Sequence, residues 1–246
     1  MPTDIDYIGA IRENASALVD AAEQAGLDAP VPSCPKWNVA DLLDHIGVVH
    51  RWAALSCNRE PSDSFTSSRD SGIKSPDDVA ARPAWVREGA TELADTLASR
   101  SPEDACWTWA PPATIGFWQR RQAHETAMHR VDAQLAAGTA QPIDAHLAAD
   151  GIDEWVTLLP NMAWREERSG AGETIHLHCT DVEGEWMLRL GASGLDVERT
   201  HGKGDVAARA PASSLLAWVM GRGAIDPLEV FGDRALLERW REDTKF

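Results

Sequence analysis

Hydrophobic residues in the first 140 positions recur at three- and four-residue steps, which is the period of an amphipathic α-helix. The pattern predicts four helices, at about residues 5–25, 38–57, 83–98 and 115–137. Asn38 suits the N-cap of the second helix, and Pro83 suits the first turn of the third. Gly26 and Gly138 are expected to end the first and fourth helices. The four helices predict a bundle, with residues 59–78 as a long crossover connection.

The pattern changes after Pro142. Residues 145–162 read as a further helix that could belong to either part of the chain. Residues 174–179 and 186–190 alternate with period two around a short polar segment, which is typical of a β-hairpin. Two more strands and two final helices are predicted at residues 195–198, 205–210, 211–220 and 233–240.

These elements predict an α+β protein with two domains. A helix bundle is expected at residues 1–164 and a smaller α/β domain at residues 165–246. The 246 residues exceed the usual size of one domain, and 43% of them are hydrophobic, which is enough for substantial cores.

Charge and composition limit the classes of partner. The formal net charge is −16, which disfavours binding to nucleic acid and docking on anionic lipid. No basic segment precedes an apolar run at the start, and no apolar run reaches about 18 residues. We therefore expect a soluble, cytoplasmic monomer or small homo-oligomer. The four cysteines form no Cys-x-x-Cys pair and are expected to be isolated thiols.

The fourth predicted helix carries a candidate metal-binding pair. A helix turns about 100° per residue, so Glu125 and His129, four positions apart, point within roughly 40° of each other. His124 stands one residue too far from His129 to form the zinc-protease motif His-Glu-x-x-His. Asp132 lies three positions further along, near the same face. A Glu/His pair alone is also compatible with a solvent-facing helix surface.

His45 adds a third candidate ligand, because it lies in the apolar stripe of the second predicted helix. Histidine and carboxylate groups bind zinc at about 2.0–2.2 Å, and a three-ligand site keeps one position open for water or substrate. His50 is the rival on the same helix, but it stands five residues from His45 and cannot face the same point. We choose His45, with Glu125 and His129, as the metal-binding trio.

Three segments resemble a known family. Residues 37–46 (WNVADLLDHI) resemble the second-helix signature of the DinB-like metalloprotein superfamily, in which a Trp precedes a helix start and a ligand His. Residues 125–132 (ETAMHRVD) resemble the fourth-helix motif of its mycothiol-dependent maleylpyruvate isomerase branch, and residues 217–223 (AWVMGRG) resemble that branch's Trp-x-x-Gly-Arg motif. The resemblance implies a DinB-like four-helix bundle followed by a C-terminal α/β domain of sterol-carrier-like type.

The resemblance also implies a reaction. His45, Glu125 and His129 would bind Zn²⁺, although the residues do not distinguish zinc from another divalent metal. Mycothiol would be the cosubstrate, a small-molecule thiol that attacks a small electrophilic substrate. The outcome would be isomerisation about a double bond or S-transfer. Arg222 would lie near the substrate, where a guanidinium suits a dicarboxylate.

Other interpretations remain open at this point. The bundle could bind metal only for structure, with the second domain acting as a non-enzymatic ligand- or protein-interaction module. Alternatively, no metal binds, and His45 is a core histidine bonded to Glu125. Arg222 could be a surface residue after a helix end. His176 and His178 share one face of a predicted strand, which is weak evidence for a further metal site.

Overall fold

The computed structural model describes residues 5–158, 170–192, 194–223 and 226–244. The chain divides into two compact units, one spanning Asp6–Gln141 and the other built mainly from Pro142–Phe246. The predicted boundary between residues 164 and 165 lies outside the described residues. Among the described residues, no helix combines the length and apolarity needed to cross a bilayer.

The first unit is a four-helix bundle, as the hydrophobic period predicts. Its helices are α1 (Tyr7–Ala25), α2 (Val39–Ser56), α3 (Arg82–Ala98) and α4 (Ile115–Ala137), with a short 3₁₀ turn at Val79–Ala81. Helices α1 and α2 each pack against both α3 and α4. The core includes the fully buried side chains of Leu18, Val19, Leu42, Leu43, Ile46 and Val86.

A capping box sets the start of α2. The side chain of Asn38 accepts a hydrogen bond from the backbone N–H of Asp41, and the Asp41 carboxylate accepts one from the backbone N–H of Asn38. Both bonds satisfy donors that the first turn of a helix leaves without intrahelical partners. The cap therefore fixes where α2 begins, about two turns before His45.

A close approach between α2 and α3 further positions α2. A Cβ atom at Gly47 would overlap the ring of Trp85, so only glycine lets the two helices pack at this separation. The guanidinium of Arg51 covers the same ring at 4.2 Å from its centroid and donates to the Trp85 carbonyl. Because Gly47 is two residues from His45, this packing holds that part of α2 in place.

The second unit contains a mixed sheet flanked by helices. Its elements are α5 (Ala145–Leu158), β1 (Thr174–Cys179), β2 (Glu185–Gly191), β3 (Gly194–Glu198), β4 (Val206–Ala210), α6 (Ala212–Val219), β5 (Glu229–Gly232) and α7 (Arg234–Asp243). The strand order is β3-β2-β1-β4-β5, with only the β1–β4 pair parallel. The predicted hairpin and the α+β class are confirmed. The four-residue β5 was not predicted, because it is too short and exposed to show an alternating pattern.

Helix α5 belongs to this second unit, a point that the sequence left open. It packs against α6, and its buried Asp153 accepts a 2.9 Å hydrogen bond from the indole of Trp186 on β2. Arg199 also donates to both oxygens of Asp153. The compact unit that contains α5 is built mainly from Pro142–Phe246, and the predicted boundary between residues 164 and 165 stays a prediction. The predicted end of this helix at residue 162 lies outside the described residues.

We expect Asn38→Ala to lower the free energy of unfolding by about 1 kcal/mol, because it removes the acceptor that caps α2. Urea denaturation followed by circular dichroism at a helix wavelength measures the effect. Asn38→Ser is the matched control, since serine caps a helix nearly as well as asparagine. If Asn38→Ser lowered the free energy of unfolding as much as Asn38→Ala does, the loss would not come from the cap.

Candidate metal centre

Helices α2 and α4 bring His45, Glu125 and His129 to one point. Each of the three offers a ligand atom that lies within 4.8 Å of the other two. The Nε2 atoms of His45 and His129 each lie 3.3 Å from the same carboxylate oxygen, Oε1 of Glu125. One carboxylate oxygen therefore bridges imidazoles from two different helices.

The three side chains are unequally exposed, so the cluster opens to solvent on one side. His129 keeps 6% of its side-chain surface accessible, Glu125 keeps 24% and His45 keeps 32%. The deep end of the cluster is thus closed by the bundle. A small molecule can approach from the side of His45 and Glu125.

Asp132 orients the buried imidazole. The Nδ1 atom of His129 lies 2.8 Å from Oδ2 of Asp132, which is itself fully buried. Asp132 in turn accepts hydrogen bonds from the hydroxyl of Ser33 at 2.5 Å and, more weakly, from the thiol of Cys34 at 3.9 Å. A hydrogen bond from Nδ1 directs Nε2 towards Glu125, which is the usual way in which proteins orient a metal-binding histidine.

The charges of the cluster support each other. Burial alone would lower the pKa of His129, but hydrogen bonds to Asp132 and Glu125 outweigh burial and raise its pKa to about 9. Burial would raise the pKa of Glu125, yet hydrogen bonds from His129 and His45 outweigh it, and that pKa lies well below its ordinary value. The guanidinium of Arg121, 3.4 Å from Glu125, acts in the same direction. Glu125 is therefore ionised, the form that binds a cation.

The indole of Trp37 forms one wall of the cluster. Its ring centroid lies 4.9 Å from that of His45 and 6.1 Å from that of His129. The two imidazole rings are 4.8 Å apart and nearly perpendicular. This packing restricts the rotation of both rings, so their ring nitrogens are held in a fixed direction.

The other two histidines of these helices point elsewhere. His50 is fully buried and its Nε2 lies 2.9 Å from the hydroxyl of Thr126, while burial lowers its pKa to about 3. His124 packs edge-on against the ring of Tyr7, with centroids 6.1 Å apart. The structure thus groups His45, and neither His50 nor His124, with the Glu125/His129 pair.

The donor set fits a divalent transition metal. Two imidazole nitrogens and one carboxylate oxygen are ligand types that zinc takes in three-ligand sites with an open fourth position. Ligand atoms about 2.1 Å from a tetrahedral ion lie about 3.4 Å from one another. The two 3.3 Å separations at Glu125 agree with that spacing.

Arg222, the predicted substrate-binding residue, lies in the second unit. It lies in the turn after α6, following Met220 and Gly221, and its Nη1 donates a 2.8 Å hydrogen bond to the carbonyl of Met220. Its side chain is half-buried. This local bond orients the guanidinium, and its role towards a substrate stays a prediction.

Comparisons with known proteins cover both units. The family model "Mycothiol maleylpyruvate isomerase N-terminal domain" matches residues 8–134, and "MDMPI C-terminal domain" matches residues 146–239. A comparison with curated proteins finds no match.

Solved structures show the same fold. The crystal structure of a His-to-Ala mutant of the mycothiol-dependent maleylpyruvate isomerase aligns with a TM-score of 0.62 at 11% identity, covering 92% of this chain and 91% of that one. Another crystal structure of the mycothiol-dependent maleylpyruvate isomerase aligns with a TM-score of 0.56 at 13% identity, with the same coverage. The two family matches together span most of the chain, which therefore belongs to the mycothiol maleylpyruvate isomerase family.

Proposed function

We propose that this protein is a zinc-dependent thiol transferase or isomerase in which an external thiol, mycothiol, attacks a small electrophile. The observation that carries the proposal is the convergence of His45, Glu125 and His129 on one point, with an open side. Family membership supports the choice of mycothiol as the thiol and of a maleylpyruvate-like compound as the electrophile.

In this proposal His45, Glu125 and His129 hold the zinc ion. A bound zinc ion lowers the pKa of a coordinated thiol, so that the thiol is a thiolate at neutral pH. With a divalent ion held there, Glu125 would contribute one negative charge, and His45 and His129 would bind as neutral imidazoles. His129 would therefore release the proton that its raised pKa retains in the metal-free cluster. The donor set would leave a net positive charge, which favours an anionic ligand over a neutral one.

The surrounding residues keep the donors in place. Asp132 fixes the ring of His129 through Nδ1, and Arg121 holds the Glu125 carboxylate in the cluster. Trp37 covers the apolar side of both imidazoles. Because these groups are ordered by the protein, the cost of organising the site is met during folding and not during the reaction.

Three cysteines of this chain are poor candidates for the nucleophile, because their thiols are buried. Burial raises the pKa of Cys57 and of Cys179 to about 12, and that of Cys106 to about 11. A thiol with such a pKa is almost entirely protonated at neutral pH and does not attack electrophiles. In this proposal the nucleophilic sulfur comes from a small-molecule thiol, as membership of the family suggests. All four cysteines lie outside disulfides, which suits a reducing compartment and supports the cytoplasm as the site of action.

Replacing the buried ligand should abolish the reaction. We expect His129→Ala to lose the zinc ion of this cluster and to lower mycothiol-dependent turnover of maleylpyruvate by at least about 100-fold, because it removes a direct ligand. Elemental analysis gives the metal content, and NMR of the cis and trans isomers gives the rate. The control is His146→Ala, which removes an exposed histidine of α5.

The same assay separates the proposed enzyme from a non-enzymatic metal-binding module. A panel of thiols and electrophiles, including glutathione and a halogenated compound, distinguishes isomerisation from conjugation. Thermal stabilisation by zinc without turnover for any pair would contradict the enzyme and favour the binding module. Protein that takes up no zinc, nickel or iron(II) would overturn the metal site as well.

Removing the charge of Asp132 should weaken metal binding without removing a ligand. We expect Asp132→Asn to lower zinc affinity by about 10- to 100-fold, because a neutral amide accepts the hydrogen bond from Nδ1 of His129 more weakly than a carboxylate does. Competition with a chromogenic chelator measures the affinity. Asp95→Asn, at an exposed ion pair with Arg12, makes the same charge change away from the cluster and should leave the affinity unchanged.

Removing the guanidinium of Arg222 should affect the substrate and not the metal. We expect Arg222→Ala to raise KM for a dicarboxylate electrophile by about 10-fold or more, since a charge-assisted bond contributes roughly 1.5–3 kcal/mol. Steady-state kinetics at saturating mycothiol measure KM, and metal content should stay the same. Arg239→Ala, at an exposed pair with Glu173, is the matched control. Unchanged kinetics in both variants would assign Arg222 a purely structural role.

A further inference from the structure

The second unit contains a cluster of three histidines and one glutamate, separate from the proposed centre. His176 and His178 lie two positions apart on β1, so both side chains leave the same face of the strand. Glu185 on β2 is the direct antiparallel partner of His178. His201 comes from the connection between β3 and β4. Residues from two strands and one loop thus meet over one face of the sheet.

All four ligand atoms lie within 4.8 Å of one another. The Nε2 atom of His176 is 2.9 Å from Oε2 of Glu185, and Nδ1 of His201 is 2.7 Å from the same oxygen. The Nδ1 atom of His178 is 3.3 Å from the other oxygen, Oε1. The three rings surround the carboxylate, with pairwise centroid distances of 5.8, 5.5 and 6.4 Å.

The residue types and the spacing of this cluster suit a metal ion. Three imidazoles and one carboxylate each offer a ligand atom within 4.8 Å of the others. A ring nitrogen that gives up its proton can bind a divalent cation, and imidazole with carboxylate is a common zinc-binding set.

One end of the cluster is buried and the other end is accessible to solvent. The side chain of His176 is 5% exposed, while that of His201 is 80% exposed. A pocket of about 330 Å³ opens beside them, and its lining includes His178, Glu185 and His201. An ion can therefore enter from solvent, with His201 as the last ligand to close over it.

We propose that His176, His178, Glu185 and His201 form a second metal site that binds a divalent transition ion such as zinc. Four protein ligands leave no open position on a tetrahedral ion, so the site is structural and not catalytic. Its effect is to fasten the connection between β3 and β4, which carries His201, to the β1–β2 hairpin.

Zinc titration of the metal-free protein tests this inference. We expect wild-type protein to bind about two zinc ions per chain, one at each cluster, since each set has a complete complement of ligands. The variant Glu125→Gln/His129→Ala removes the first site and should still bind one ion. Elemental analysis after dialysis gives the stoichiometry, and chelator competition gives each affinity.

The decisive variant is His201→Gln, because an exposed side chain can be replaced without disturbing the fold. In the Glu125→Gln/His129→Ala background, we expect it to weaken the remaining site by at least about 100-fold, more than loss of an outer-shell partner costs. His146→Gln, at another exposed histidine of the same unit, is the matched control and should change nothing. Circular dichroism confirms that each variant is folded.

The outcomes separate this inference from the proposed function. If the Glu125→Gln/His129→Ala variant binds no ion, or if His201→Gln leaves the affinity unchanged, the second site is overturned and the first is unaffected. If wild-type protein binds one ion that survives Glu125→Gln/His129→Ala and is weakened by His201→Gln, the second site stands and the zinc enzyme fails.

Cobalt(II) bound at the second site should give a tetrahedral spectrum without thiolate charge-transfer bands. Such bands would implicate Cys179, which also lines the pocket, and would overturn the assigned ligands.

Discussion

The carboxylate of Glu125 is the group on which the helical unit's site depends. An ionised carboxylate inside a helix bundle destabilises the fold unless charged or hydrogen-bonding partners surround it. Here the partners are His129 and Arg121 on the same helix and His45 on α2. Because the partners of the Glu125 carboxylate lie on both α4 and α2, the geometry of the site depends on how these two helices pack. Asp132, which orients His129, also accepts a hydrogen bond from the hydroxyl of Ser33, so the segment before α2 contributes to the same geometry.

The two histidine clusters reach similar compositions by different local geometry. On α4, Glu125 and His129 stand four residues apart, about one helical turn, and His45 on a neighbouring helix completes the cluster. On β1, His176 and His178 stand two residues apart, and the neighbouring strand adds Glu185 in register. In both cases one element supplies a pair of residues at its own period, and a neighbouring element adds a third. The sheet cluster gains a fourth residue, His201, from a loop, whereas the helical cluster keeps a side that is accessible to solvent.

The sequence by itself determined the elements and the directions of side chains within them. Four helices follow from apolar residues at three- and four-residue steps, and α4 runs over the predicted residues 115–137 because Gly138 adopts the left-handed conformation that ends a helix. The pairing of Glu125 with His129, and the exclusion of His124 from it, follow from 100° per residue alone. These are local properties, since the backbone period fixes them without reference to the rest of the chain.

Only the tertiary structure decided which elements meet. The apolar stripe of α2 favours His45 over His50, but the 3.3 Å approach of His45 to Glu125 depends on how α2 packs against its neighbours, including the close contact at Gly47. No spacing links Glu185 and His201 to the two histidines of β1, since strand register and a loop bring them together. The grouping of α5 with the sheet has the same origin, in a buried Asp153 that holds Trp186. Contacts between distant segments arise from packing and buried hydrogen bonds, and the periodicity of the sequence specifies neither of them.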